Sequence, residues 1–204
     1  MVGMLSARPE LDDNPDRLRW NAKYGSGFVA SFEPHPLAVE ALALLAVAGR
    51  VLELACGPSG NALRAAATGH RVVAVDASDV ALRLLAKEAD RRGLSGLLTL
   101  VHADLKSWRP EPERYSLVLC TGYWDADLFQ PAVRAVEPGG LLAWEACTEQ
   151  ARQERPSFPA AWCLAADQPA SLLPPGWQVL GQNDVPGTRR RLLARASLDV
   201  PTAE

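Results

Sequence analysis

Val51-Leu52-Glu53-Leu54-Ala55-Cys56-Gly57-Pro58-Ser59-Gly60-Asn61 is an apolar run interrupted by one acid, then a turn of small residues, then the start of an alanine-rich stretch. The pattern predicts a strand, a tight turn and a helix that begins near Asn61. Such a turn brings bare backbone close to a ligand, and the following helix presents its free N–H groups there. Small residues matter because a larger side chain would hold the ligand off. A second apolar run, Arg71-Val72-Val73-Ala74-Val75-Asp76, ends in another acid. It comes about 20 residues after the turn, the spacing at which a carboxylate meets the hydroxyl pair of a ribose. Together the two stretches predict a ligand that contains a nucleoside.

The same alternation continues outward. Strands are predicted over Leu97–Val101, Tyr115–Cys120 and Leu141–Cys147, and helices over Asn61–Thr68, Ser78–Arg92 and Leu128–Val136. Glu137-Pro138-Gly139-Gly140 reads as a turn before the fifth strand. Upstream, Asp16–Tyr24 forms a short helix with Trp20 and Tyr24 on one face, and Gly25-Ser26-Gly27 breaks it. A further helix is predicted over Leu37–Ala48, entered through Pro36 and ended by Gly49. Five strands that alternate with helices imply βαβ units. The end of the chain departs from this rhythm. Residues 148–175 are Pro-rich and irregular, and then Trp177–Gly181 and Arg190–Ala196 read as two strands around Pro186-Gly187. The expected fold is therefore α/β: a Rossmann-like, doubly wound sheet of mostly parallel strands, closed by a C-terminal antiparallel hairpin, with helices on both faces. Residues 1–204 form one domain, with 1–15 flexible and 148–175 acting as a lid or linker.

Composition narrows the possible partners. The 204 residues carry a formal charge of -3, so a broad basic face for nucleic acid is not expected. Arg189-Arg190-Arg191 is the one dense basic run, and it reads as the solvated end of a strand. Cys56, Cys120, Cys147 and Cys163 form no C-x-x-C pair and have no histidine at ligand spacing, so no metal is expected. Free buried cysteines fit a reducing compartment. Without a basic-then-apolar leader or a long apolar span, the chain is expected to be cytoplasmic and off the membrane.

With strands, turns and closing hairpin in place, the chain resembles a class I S-adenosylmethionine-dependent methyltransferase from about Trp20 to Ala196. Val51–Asn61 resembles that family's first motif, which implies that Glu53, Ala55, Gly57 and Gly60 surround the methionine part of the cofactor. Val75-Asp76-Ala77-Ser78 resembles the second, with Asp76 on the ribose hydroxyls and Ala77 beside it. His102-Ala103-Asp104-Leu105 resembles the third, where Asp104 reads the adenine amino group and Leu105 packs on the ring. Val118-Leu119-Cys120-Thr121-Gly122 resembles the fourth, with Cys120 at the strand end nearest the transferred methyl. Trp20-Asn21-Ala22-Lys23-Tyr24, Cys56-Gly57 with Asn61, and Asp127-Leu128-Phe129 are similar to the small tellurite-resistance and thiopurine-type methyltransferases. There the likeness places Trp20 and Tyr24 over the cofactor. Tyr123, Trp124 and Asp125 stand where a methyl acceptor would enter.

The first motif departs from the family pattern of alternating glycines. Ala55 is tolerated there if its φ is negative. Ser59 stands where a left-handed or crowded conformation is usual, and Gly60 takes over by a one-residue shift. The resemblance implies S-adenosylmethionine as cofactor and methyl transfer to a small-molecule acceptor, with no nucleic acid and no membrane as partner. The acceptor and any catalytic base are left open. The rival readings are a non-catalytic cofactor-binding or scaffold protein and, against the missing G-x-G-x-x-G register, an NAD-dependent oxidoreductase.

Overall fold

A computed structural model of the chain describes residues 9–25 and 27–198. The flexible stretch expected over 1–15 lies mostly outside the described residues, as does Ser26 of the expected break. Inside them, Pro9–Leu11 forms a 3-10 turn with Leu11 buried. The helices are α1 (Pro15–Gly25), α2 (Pro36–Ala43), α3 (Gly60–Ala67), α4 (Asp79–Arg91), α5 (Ala126–Ala135) and the short α6 (Ala151–Glu154). The strands are β1 (Arg50–Leu54), β2 (Arg71–Asp76), β3 (Leu98–His102), β4 (Tyr115–Thr121), β5 (Val136–Cys147), β6 (Gln178–Val185) and β7 (Arg189–Arg195).

The sheet runs β3-β2-β1-β4-β5-β7-β6. The first five strands pair in parallel, and β7 pairs antiparallel with both β5 and β6. Strand order reverses between β1 and β4. In open α/β sheets that switch point leaves a crevice at the carboxyl ends of the strands.

Side-chain alternation divides the core into two layers. Val51, Leu117, Leu119, Leu141 and Ala143 face the layer built by α2, α3 and α4. Leu52, Leu54, Val118, Leu142 and Trp144 face the layer built by α5. The α5 layer is anchored by aromatic rings: Trp144 meets Phe129 at 5.2 Å and Trp124 at 6.0 Å between centroids, both edge to face.

Four expectations change. The helix predicted to reach Ala48 stops at Ala43, because Leu44 and Leu45 close a tighter i−3 turn. Beyond it, Val47 is 77% exposed, so that apolar stretch has no sheet beneath it to sustain a helix. Glu137–Gly140 is not a turn outside the sheet but a wide bulge within β5. Val136 pairs with Tyr115 and Leu141 with Leu117, so four residues on β5 oppose Ser116 alone. Gly139 takes φ +76 there, and a side chain on Gly140 would meet the Glu137 carbonyl oxygen at 2.9 Å. The first hairpin strand runs on to Val185, past the predicted end at Gly181, and the second is shifted back by one residue to Arg189–Arg195, leaving Pro186–Thr188 as the connection. Residues 148–177 are locally ordered, with α6, two 3-10 turns and a parallel bridge from Thr148 to Leu164.

Gly60 opens α3 directly beneath the 32–33 backbone. A Cβ there would lie 2.5 Å from both the Phe32 and Glu33 carbonyl oxygens. Gly60→Ala should therefore lower the unfolding free energy by about 1–3 kcal/mol. Gly96→Ala, which meets nothing within 4 Å, should change it by less than about 0.5 kcal/mol. Urea denaturation of both variants checks this, and equal effects would contradict it.

Candidate functional site

The crevice is built on the turn after β1. Ala55 has φ +49 and Gly57 φ +59. The condition of a negative φ at Ala55 is thus not met: the residue sits in the left-handed region, at a cost on the order of 1 kcal/mol. Three backbone donors secure the turn and its neighbour. Cys56 N–H donates to the Val75 carbonyl at 3.1 Å, Gly57 N–H to Asp76 Oδ2 at 2.7 Å, and Ser78 N–H to Asp76 Oδ1 at 2.7 Å.

The doubt placed on Ser59 is also overturned. It has φ -86 and caps α3, its hydroxyl accepting from Ala62 N–H and donating to Glu53 Oε2 at 2.6 Å. Gly60 does not replace it as a ligand-facing glycine; it lies under Glu33.

Glu53 stands on the α3 side of β1, 1% exposed, and holds Ser59 and, at 2.8 Å, the Asn61 amide. Asn61 Oδ1 in turn accepts from His35 N–H. Burial pushes the Glu53 carboxyl up to about 7, against the pull of the Ser59 and Asn61 hydrogen bonds. Burial also lifts Asp76 to about 6, against the N–H groups of Ser78 and Gly57.

A cavity of about 230 Å³ lies above this turn. It brings together Trp20, Tyr24, Ala55, Asp76, Ala77, Asp104, Leu105 and Tyr123 from the residues singled out in the sequence. Four of the expected cofactor residues do not line it: Glu53 sits beneath the turn, Gly60 under the 32–33 backbone, and Cys120 is fully buried with its thiol toward the Tyr123 carbonyl. Gly57 is covered by Tyr24, whose hydroxyl would lie 3.0 Å from a Cβ on that glycine. Asp104 carries Asn14 Nδ2 on Oδ2 at 2.9 Å and Lys106 N–H on Oδ1.

Helix α1 roofs the cavity through polar contacts, with no buried residue of its own. Arg17 and Asn21 both reach Asp79 Oδ1, at 2.8 and 2.7 Å. The Ser78 hydroxyl donates to Asn21 Oδ1, and Lys106 pairs with Asp16 at 3.0 Å. Against the effect of burial, hydrogen bonds from Asn21, Arg17 and Arg83 hold the Asp79 carboxyl well below the usual range.

A second, larger cavity of about 730 Å³ adjoins the first and shares Trp20, Lys23, Gly122, Tyr123 and Arg189 with it. Tyr123, Trp124 and Asp125 all reach it. Trp124 is mostly a core residue, 4% exposed. Asp125 caps α5, with Oδ1 accepting from Asp127 and Leu128 N–H. The Tyr123 backbone is fixed from below by Trp144 Nε1, which donates to its carbonyl at 3.0 Å.

Sequence reasoning missed Asp16, Lys23, Thr121 and Arg189 as lining residues. Lys23 could have been found, since it lies three residues after Trp20 on the same helical face. Arg189 and Arg191 were misread as a solvated strand end. Both grip the buried Glu145, at 3.2 and 2.6 Å, with His35 Nε2 at 3.2 Å as a third partner. Arg190 pairs with Asp184 and binds carbonyls of the 165–168 segment. Among the described residues no cluster of three metal-ligating side chains occurs, and no helix is long and apolar enough to cross a membrane.

Residues 51–140 match the model of a methyltransferase domain family. Similar solved structures include geranyl diphosphate C-methyltransferase from Streptomyces coelicolor, at 13% identity and TM-score 0.67, covering 95% of this chain and 100% of that one. A 1,6-didemethyltoxoflavin-N1-methyltransferase from Burkholderia thailandensis matches at 18% identity and TM-score 0.65, covering 96% and 93%. TehB from Haemophilus influenzae matches at 16% identity and TM-score 0.64, covering 89% and 67%. No curated protein sequence matches significantly. The fold is the Rossmann-like fold of class I methyltransferases.

The buried carboxyls imply a pH dependence of stability. Because Glu53 has a folded-state value above its unfolded one, the folded chain binds the extra proton. The associated stability is complete below about 4.5 and is lost as pH rises through about 7. Asp76 acts in the same direction up to about 6. Glu145, whose carboxyl is held down to about 2 against burial by His35 and Arg191, acts oppositely and only in acid. The unfolding free energy of the ligand-free protein should fall between about pH 5 and 8 by on the order of 1 kcal/mol or more. Glu53→Gln should flatten that fall. Urea titrations across this range test it; the same slope in wild type and variant would contradict it.

Proposed function

We propose that this chain binds S-adenosylmethionine in the smaller cavity and methylates a small molecule held in the larger one; the match of residues 51–140 to a methyltransferase domain model supports the reading. The observation that carries the reading is Asp76. Its two oxygens are clamped by Gly57 and Ser78 N–H groups, so the carboxylate is fixed at the cavity wall with lone pairs left for further donors.

The residues present fit an adenosine. Asp76 supplies an acceptor for ribose hydroxyls, and Asp104, at the matching end of β3, an acceptor for an amino group. Ala77 and Leu105, each next to one of these acids, give the apolar walls a purine ring requires. Ala55 and Gly122 keep the floor free of bulk. When bound, S-adenosylmethionine supplies an electrophilic methyl on a positive sulfonium. The chain's own task is to orient and to exclude water. Trp20 and Tyr24, stacked at 5.8 Å, roof the site, and Tyr123, fixed by Trp144, stands at the junction of the two cavities. Positioning of this kind supplies about 7–11 kcal/mol in favourable cases.

Two features argue against the rival readings. The substituted glycine turn is well formed, with Ser59 turned to use as a cap, so nothing in it blocks the cavity. The antiparallel β7 beside β5 is not how a nicotinamide-binding sheet usually ends.

Asp76→Asn keeps one acceptor oxygen and should weaken binding of S-adenosylhomocysteine at least about tenfold by calorimetric titration. Asp76→Ala should weaken it further and also lower the melting temperature, because it leaves the Gly57 and Ser78 N–H groups without their carboxylate. Unchanged affinity in both variants, or binding of NAD as tight as that of S-adenosylhomocysteine, would overturn the proposal.

A further inference from the structure

We propose that the larger cavity takes a planar aromatic anion, an aromatic carboxylate of one to three fused rings; this rests on the reading of the smaller cavity as the cofactor site. Three observations converge on it. The first is size: about 730 Å³ lies within the roughly 300–1,000 Å³ range of pockets that hold ring-sized organic ligands.

The second is the wall. Trp20 and Tyr123 line the side toward the smaller cavity, and Phe158 and Trp162 line the side formed by the 155–163 segment. Phe158 and Trp162 pack edge to face at 5.6 Å. Rings on two sides of one cavity favour a flat, polarizable guest over a flexible aliphatic one.

The third is charge. The cavity is lined by five cations and three carboxylates. Lys106 is paired with Asp16, and Arg189 with Glu145. Arg19, Lys23 and Arg155 have no carboxylate at ion-pair distance among the described residues. Each lies over an aromatic ring instead: Arg19 over Trp162 at 4.5 Å and Trp20 at 5.2 Å, Lys23 over Trp20 at 4.5 Å, Arg155 over Phe158 at 4.8 Å. The carboxylate of Asp125 is engaged as the α5 cap, and Asp127 is exposed in the first turn of that helix. The surplus cations therefore sit on the aromatic wall. A guest ring lying between the two aromatic sides presents a carboxylate within reach of guanidinium groups, the geometry that planar forks recognise best. A neutral ring gains nothing from those cations, and a cationic one would be repelled.

The test is calorimetric titration of the full chain with three probes of similar size: 1-hydroxy-2-naphthoate, 1-naphthol and 5-hydroxytryptamine, with and without saturating S-adenosylhomocysteine. The naphthoate should bind at least about tenfold tighter than either competitor. In the Arg19→Gln, Arg155→Gln double variant that preference should shrink to about threefold or less. Should the double variant not fold, salt provides the same information in wild type. Raising NaCl from about 0.05 M to about 0.5 M should weaken naphthoate binding several-fold and leave naphthol binding unchanged. Equal or tighter binding of naphthol or hydroxytryptamine, or an anion preference untouched by both the variant and salt, would overturn the inference. Failure of S-adenosylhomocysteine to bind in the parallel titration would instead overturn the cofactor reading on which it rests.

Discussion

Asp76 is the joint on which the site depends. A carboxylate at the end of β2 that accepts the Gly57 and Ser78 N–H groups ties the turn after β1 to the start of α4. The Cys56 to Val75 bond adds a second stitch alongside. Without these bonds, a turn with Ala55 at positive φ would have no reason to hold its shape, since the strained residue gains nothing locally. The strain is balanced by neighbours on two strands. Beneath the turn Glu53 performs the complementary task, holding Ser59 and Asn61 and so fixing where α3 begins. One acid faces the cavity and one faces the core, and the turn is gripped between them.

Much of the sheet was legible because its signals are local. Apolar runs such as Tyr115–Cys120 and 141–147 fit strands covered on both faces, and the Ser78 cap marks a helix start. Asp76, Ala77, Asp104 and Leu105 could be placed because a parallel sheet brings strand ends to one rim whatever the details. The misreadings share a different cause. The fate of Glu53 depends on which face of β1 it occupies and on what α3 places opposite. Arg189 and Arg191 look solvated until β7 is seen beside β5, where they meet Glu145 some 40 residues away in sequence. The 137–140 bulge looks like any Pro-Gly turn, because only the register against β4 shows that it is inside the sheet. What sequence periodicity cannot carry is the identity of partners across a gap in the chain.

The two cavities are likewise built by different means. The smaller is walled by strand ends and the turns that follow them, elements held in place by the core. The larger is completed by α1 and the 155–163 segment, which are far apart in sequence and are linked by Arg19 between Trp20 and Trp162. The fold thus sets the smaller cavity on rigid scaffold and completes the larger one with segments outside the sheet.

Helix α1 has no buried residue of its own, and its hold on the rest of the protein is made largely of ions, amides and the half-buried rings of Trp20 and Tyr24. Ion pairs such as Arg17–Asp79 and Lys106–Asp16 weaken as salt is added, whereas the packed sheet beneath them is held by apolar burial. The grip of this roof is therefore a property of the solvent as much as of the protein. In such a molecule the attachment of one surface helix and the robustness of the core answer to different physical variables.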